Sequence, residues 1–256
     1  MKWKKMIPYK QHEISSKSIR NKTLVSFVIF LLLIVLAIAA WKWLNHNPKE
    51  MGAIKPLRKV LNYNEGVFNK VFSKDNLAKT FPLSSAVKKV RVNGNLGMNK
   101  NFDTANWKLR VIRNPGDTLL VTLDQLKILP KTEIIFDFKC IEGWSQITYW
   151  GGVKFSDFAA NYGLKAQTNE KYAGLVTPDK GYYVGIDMPS MMHPQTLLCY
   201  EMNGQPLPMN QGYPLRLIIP VKYGIKHLKR IGTISFSNER PPDYWYEQGY
   251  DYYSGL

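Results

Sequence analysis

Nineteen uncharged residues, Thr23 to Trp41, stand between Lys22 and Lys42. As a helix rising about 1.5 Å per residue, this run spans roughly 28 Å, the hydrocarbon thickness of a bilayer. Trp41 and Trp43 close it, where amphipathic rings favour the membrane interface. The pattern predicts a transmembrane helix over 23–43. A cleaved signal peptide is the alternative, because Ala37-Ile38-Ala39 resembles a small-residue cleavage site. The apolar run exceeds the usual signal core, so a retained anchor is the favoured reading.

After the anchor the pattern changes twice. Residues 44–60 read as a polar linker, interrupted by Asn45-His46-Asn47-Pro48 and Lys55-Pro56. The folded domain is expected over 61–256. Its first part, 61–104, mixes short helical stretches with Asn/Gly-rich turns and shows no single period. Beyond it the period becomes two. Trp107–Ile112 alternates like a half-buried strand, and Asn114-Pro115-Gly116-Asp117 reads as a turn. Glu133–Lys139 predicts a strand that ends at Cys140. Further strands are expected over Tyr182–Ile186, Leu215–Pro220 and Gly232–Phe236, and a short helix over Val153–Asn161. No repeat or low-complexity tract interrupts them. Strands with interspersed short helices predict a mixed, β-rich α+β domain preceded by one transmembrane helix.

Charge orients this picture. The 256-residue chain carries a formal charge of +16. Seven Lys/Arg and a single Glu lie in residues 1–22, so this basic tail contributes +6 and the remainder +10. A basic segment before a membrane helix favours a cytoplasmic N-terminus, although Lys42, Lys49, Lys55, Arg58 and Lys59 follow the helix and keep the bias modest. The expected arrangement is a single pass through a bacterial inner membrane with the domain in the periplasm. Basic residues in the domain are scattered and no nucleic-acid-binding motif occurs. That pattern argues against a nucleic-acid partner and for an anionic cofactor or substrate.

Common catalytic engines are missing: no phosphate loop, no dinucleotide turn, no His-Glu-x-x-His pair and no nucleophile elbow. Of four histidines, His12 and His46 flank the anchor, leaving His193 and His227 in the domain. Two cysteines, Cys140 and Cys199, make no disulfide framework, and each is open to a bridge or a buried thiol. The informative segment is Phe138-Lys139-Cys140-Ile141-Glu142-Gly143-Trp144-Ser145, followed by Trp150-Gly151-Gly152-Val153. A cysteine at a strand end before a Gly/Trp turn can project its sulfur into a pocket, and a thiolate suits a transition metal in sulfur-rich surroundings. A buried apolar thiol is the plain alternative. Trp144 and Trp150 are expected in the core or a pocket wall, and Gly151-Gly152 at a tight turn. The aromatic and acidic run Asp243–Tyr253 is expected to pack over the domain surface, with docking of an electron-transfer partner as the other reading.

This segment resembles the metal-binding stretch of the sulfite oxidase, molybdopterin-dependent oxidoreductase family, Cys-x-Glu-x-Trp followed by Trp-x-Gly. The resemblance is to the branch near the protein-methionine-sulfoxide reductase catalytic subunit. A second block agrees in order: Asn203-Gly204-Gln205-Pro206-Leu207-Pro208, then Gly212-Tyr213-Pro214-Leu215-Arg216-Leu217, then Tyr223-Gly224-Ile225-Lys226-His227-Leu228-Lys229. The likeness runs from about residue 105 to the C-terminus. It implies a sulfite-oxidase-type molybdopterin-binding domain with a molybdenum–molybdopterin cofactor and Cys140 as metal ligand and catalytic residue. It implies Arg216 as a cofactor contact, and His227, Leu228 and Lys229 as the segment holding the pterin phosphate. Thr177, Gln211 and Asn64 fall where the family places further cofactor contacts, with Asn64 in a weakly similar region.

The resemblance further implies oxygen-atom transfer to or from a small S- or N-oxide or a sulfite-type oxyanion. A haem-attachment Cys-x-x-Cys-His is missing, so electrons are expected from a membrane haem or quinone-linked electron-transfer protein. An arginine-rich oxyanion pocket is not assignable, which favours reduction of S- or N-oxides. Exported relatives carry a twin-arginine signal, whereas this tail offers Arg20-Asn21-Lys22. The competing reading is a membrane-anchored, non-catalytic binding module that kept the fold and lost the metal.

Overall fold

The computed structural model describes residues 15–256. The chain divides into two units, Met1–Pro48 and Lys49–Leu256. The described part of the first unit is dominated by one helix, α1 (Ser16–His46). Ser15 begins it by accepting the Ser18 N–H on its side chain. The helix extends past the expected 23–43 span at both ends, because no Gly or Pro interrupts the chain between Pro8 and Pro48. By length and composition it is able to cross a membrane. Of the expected basic tail, residues 1–14 lie outside the described residues, and Ser16–Lys22 form the first turns of α1.

The 44–60 segment, expected as a linker, carries regular structure. After α1, strands β1 (Lys49–Glu50) and β2 (Ala53–Ile54) form a small hairpin, and α2 (Lys55–Val71) follows directly. Pro56 sits in the first turn of α2. There its ring starts a helix instead of breaking one, since that N–H would have no partner anyway.

The remaining strands build two five-stranded sheets. In chain order they and their connecting helices are β3 (Leu109–Asn114), β4 (Asp117–Val121), α3 (Leu123–Lys127), β5 (Lys131–Lys139) and β6 (Ser145–Lys154). Next come α4 (Phe155–Asn161), β7 (Tyr172–Val176), β8 (Tyr183–Asp187), α5 (Met188–Met191) and β9 (Leu197–Met202). The chain ends with β10 (Gln205–Pro206), β11 (Arg216–Ile218), β12 (Thr233–Ser237) and α6 (Tyr244–Glu247). One sheet has the order β10-β9-β6-β5, with β11 also on β9; the other has the order β4-β3-β12-β7-β8. Strand β12 runs parallel to β3 and antiparallel to β7. The α+β expectation is met.

Period-two patterning distributes β9 and β11 between two cores. Leu198, Tyr200 and Leu217 face a large cluster that also takes Leu109, Val111, Leu175 and Ile234 from the other sheet. Their neighbours Leu197, Cys199 and Ile218 face a smaller cluster with Ile134, Phe136 and Trp150. The first sheet is therefore covered on both faces, and β5 and β6 deliver their connecting turn to the edge of the smaller cluster.

Gly151-Gly152 is not a turn. Both lie inside β6, where the register with β9 shifts between them. A Cβ at Gly152 would stand 2.2 Å from the Leu198 carbonyl oxygen, so the residue permits close backbone approach. The C-terminal run is also more deeply placed than expected. Tyr252, Tyr253 and Ser254 are buried, Tyr253 stacks on Phe68, and the Leu256 N–H donates to Val221 O.

Candidate active site

Strand β5 runs out of the core at Lys139 and places Cys140 at the start of a tight turn. The Cys140 N–H donates to Trp144 O at 2.9 Å, and the Gly143 N–H donates to Cys140 O at 3.1 Å. Gly143 holds φ at +86°, a conformation costly for any side chain. The turn points Cys140 into a cavity of about 950 Å³, open mouth included, whose lining also holds Trp144, Trp150, Arg216, His227 and Lys229. Cys140 is 7% exposed, and both it and Cys199 are free thiols. The side-chain contact to its sulfur is Asn93 Nδ2, at 3.7 Å.

Arg216 opens β11 and is buried. Its Nη1 donates to Gln211 O at 3.0 Å and to Gln211 Oε1 at 2.9 Å. The guanidinium lies over the Trp150 ring, 4.5 Å from its centroid. Its Nε is buried without a hydrogen-bond partner. Burial pushes the group down to about 10, so it stays a cation at neutral pH. Gln211 completes this wall by donating through Nε2 to Val90 O and Arg91 O. The Trp150 indole N–H in turn donates to Thr148 Oγ1 at 2.7 Å.

The segment after Val221 divides its labour. Lys222 and Lys226 are buried and ion-paired, to Asp187 at 2.6 Å and to Asp243 at 2.5 Å. Their charges are neutralised inside the domain and are unavailable to a ligand. The His227 ring lines the cavity, yet both nitrogens have partners. Its Nδ1 accepts from the Ile219 N–H at 3.4 Å, and its Nε2 lies 3.1 Å from Lys222 O. Burial and the nearby Arg216 push its pKa down to about 3, so the imidazole is neutral. Leu228 does not line the cavity; its side chain is core, and its N–H donates to Lys226 O. Lys229 does line it, donating to Asn93 O at 2.5 Å and Gly94 O at 3.0 Å. With no carboxylate among its partners in the described residues, burial and the Arg216 charge lower Lys229 to about 7.

Two expected residues stand elsewhere. Thr177 is buried outside the cavity lining. Its hydroxyl donates to Asp179 Oδ1 at 2.7 Å and accepts the Tyr182 N–H at 3.1 Å. It packs against Gly97, so it supports the loop behind the site rather than facing it. Asn64 lies on α2 and is likewise absent from the lining. The asparagine beside Cys140 is Asn93. Sequence reasoning missed it together with Arg91, which stacks on Trp144 at 4.6 Å, and Tyr182. The turn signal of Asn93-Gly94 was visible, with Gly94 at φ +67°, but its position across from Cys140 is set by Lys229 and Gln211, far along the chain.

The donor set fits an anionic, sulfur-rich metal group. A thiol suits a soft or high-valent metal, and the orphaned Arg216 Nε and the unpaired charge of Lys229 suit anionic oxygens. Among the described residues no group of three or more His, Cys, Asp or Glu forms a metal cage. A metal here would need most of its ligands from a cofactor.

Comparison with known proteins agrees. The oxidoreductase molybdopterin-binding domain model matches residues 95–245. YedZ1 of Azospira oryzae is 35% identical over 195 residues, covering 75% of this chain and 73% of that protein. The protein-methionine-sulfoxide reductase catalytic subunit MsrP of Campylobacter jejuni is 32% identical over 161 residues, 57% of this chain and 54% of MsrP. The mitochondrial sulfite oxidase of Rattus norvegicus is 29% identical over 181 residues, 60% of this chain and 33% of that protein. The chain thus spans about half of MsrP and a third of the sulfite oxidase. The matched model takes in the cavity residues from Leu96 to Trp245, Cys140, Arg216 and Lys229 among them, and the chain belongs to the oxidoreductase molybdopterin-binding domain family.

Proposed function

We propose that Cys140 ligates the molybdenum of a molybdenum–molybdopterin cofactor, and that the chain is a membrane-anchored oxidoreductase. Its substrate class is a small S- or N-oxide or a sulfite-type oxyanion. The carrying observation is that one cavity collects a free thiol, the unpartnered Arg216 Nε and Lys229 without a carboxylate.

When bound, the cofactor supplies two-electron chemistry at molybdenum that moves an oxygen atom to or from the substrate. The chain's residues do the holding. Arg216 and Lys229 are the cations for the anionic pterin, with Gln211 holding Arg216 through Nη1. His227 contributes a neutral ring wall, while Leu228 and Thr177 act behind the surface as supports. Asn93 donates toward the Cys140 sulfur and orients it in the cavity. Trp144 and Arg91 stand at the mouth beside Glu142, whose carboxyl is held below its ordinary value by hydrogen bonds from Asn93 and Trp144. Reduction of a neutral sulfoxide or N-oxide is the favoured direction, and methionine sulfoxide, for which MsrP is named, is the first substrate to try.

By this reading α1 spans a bacterial inner membrane with its N-terminus in the cytoplasm and the domain in the periplasm. Electrons come from a membrane haem or quinone-linked protein. A compartment-sensitive reporter on the C-terminus checks the orientation. Full-length protein purified from cofactor-sufficient cells should carry about one molybdenum and one pterin per chain, by elemental and fluorescence analysis. Cys140→Ala should lose turnover of sulfoxide, N-oxide or sulfite with a redox dye while keeping its melting transition. Metal-free wild-type protein would favour the non-catalytic module, and an active Cys140→Ala variant would remove the ligand assignment.

A further inference from the structure

Helix α2 is amphipathic in an inverted sense. The side packed on the domain is polar: Arg58 and Glu65 are its buried residues. Arg58 donates to the carbonyls of Glu50, Tyr246 and Tyr250, and Glu65 pairs with Arg240 and accepts from Tyr172. The opposite side is apolar and open. Leu57, Val60, Tyr63, Val67 and Val71 are all exposed, Val60 by 61% and Tyr63 by 70%. At about 100° per residue these five fall within an arc of roughly 120°. Lys70 and Lys59 lie within about 40° of one edge of that arc and Lys55 about 80° from it on the same side, all three exposed, while the helix's one acid, Glu65, is turned inward.

A stripe of this kind would ordinarily be buried, and water is a poor partner for it. Two observations identify what covers it. The flanking charge is all basic, so the covering surface is anionic. The tether is also short: eight residues, Asn47 to Ile54, separate α1 from α2 and reach at most about 29 Å when extended. Six of these eight belong to the β1–β2 hairpin, which pairs Lys49 with Ile54 and shortens the reach further. We infer that α2 is an interfacial helix: its apolar stripe beds into the headgroup and acyl boundary of an anionic bilayer, and its flanking lysines bind the lipid phosphates. The inference rests on α1 spanning that membrane. Apolar burial and headgroup attraction add in such a helix, and Tyr63 has the amphipathic ring that this depth favours.

The test uses the full chain in lipid nanodiscs, with Cys140 replaced by Ala and single spin labels at Val60→Cys, Val67→Cys, Leu32→Cys and Ile128→Cys. Ile128 is 83% exposed and serves as the water reference. Power saturation compares accessibility to oxygen with accessibility to a nickel chelate. Labels at 60 and 67 should be oxygen-accessible and nickel-shielded in phosphatidylglycerol-rich discs, as at 32 and unlike 128. The shielding should fall in pure phosphatidylcholine and after Lys55→Gln, Lys59→Gln and Lys70→Gln together. Labels at 60 and 67 matching 128 while 32 stays shielded would overturn the interfacial helix alone. Nickel access at 32 as well would overturn the membrane span and the inference with it. Dipolar broadening between labels at 60 on two chains would assign the stripe to a second copy instead. Shielding indifferent to lipid charge would remove the role of the lysines.

Discussion

Arg216 and His227 show how much of this site depends on burial. Arg216 donates twice from one Nη1 to Gln211 while its guanidinium lies over Trp150 and leaves Nε free, a spread of donors on one planar group that lysine cannot reproduce. Arg216→Lys should therefore lower retained molybdopterin tenfold or more, corresponding to about 1.4 kcal/mol or above, measured as pterin per chain after dialysis. His227 is neutral in the folded domain down to about pH 3, whereas an unfolded imidazole takes a proton near 6.5. Between those values the unfolded state binds more protons, so stability is lost as pH falls through that window. Denaturant melts should show a loss on the order of 2 kcal/mol from pH 6.5 to 4.5, reduced in His227→Gln. Lys229 carries the opposite opportunity. Its proton, held only to about pH 7 in the empty cavity, is favoured by a bound anion. Affinity of the cofactor-free chain for pyrophosphate should weaken as pH rises from 7 to 9, and Lys229→Met should remove that slope in titration calorimetry.

At the scale of elements, the strand that carries Cys140 was legible because Ile134, Phe136 and Phe138 repeat at every second position through β5 and lead into a Gly-containing turn. The strands β8, β11 and β12 were legible in the same way, each to within a few residues, and the short helix α4 to within two at its start. The Gly pair in β6 was not, because adjacent glycines look alike whether they turn the chain or admit a neighbouring strand. Only the Leu198 carbonyl, 2.2 Å from an added Cβ at Gly152, distinguishes the two. Gly152→Ala should consequently cost about 3 kcal/mol by thermal or denaturant melting, whereas Gly151→Ala, which would meet the movable Glu201 side chain, should cost less. Helix α2 hid for a different reason. Its apolar face is open and its charged face is buried, so a search for buried apolar stripes passes over it.

Across the whole molecule, the local half of the site was readable and the distant half was not. Cys140, Gln211, Arg216 and Lys229 lie in runs whose order carries the family pattern. Asn93 and Arg91 come from a stretch without period, and their place is fixed by contacts more than a hundred residues away. Position in a pattern points to Thr177 and Asn64, yet Thr177 is tied to Asp179 and Tyr182 and Asn64 lies on α2, both outside the cavity lining. The same long-range ties join α2 to the cavity: Arg58 holds the carbonyls of Tyr246 and Tyr250, and Tyr250 with Trp245 forms part of the rim. Arg58→Met should thus loosen the C-terminal segment, read as faster hydrogen exchange over 244–254 with α1 unaffected.

The unequal placement of the two cysteines has a practical chemical consequence. Cys199 is sealed within the smaller cluster and burial drives its thiol up to about 12, so it stays protonated and out of reach of alkylating reagents. Cys140 alone opens on a cavity. In its native fold the chain should behave toward iodoacetamide as a one-thiol protein, taking a single adduct by intact mass, and two only after unfolding. Whatever occupies the sulfur of Cys140 would block that one adduct, which makes alkylation stoichiometry a direct count of loaded molecules in any preparation.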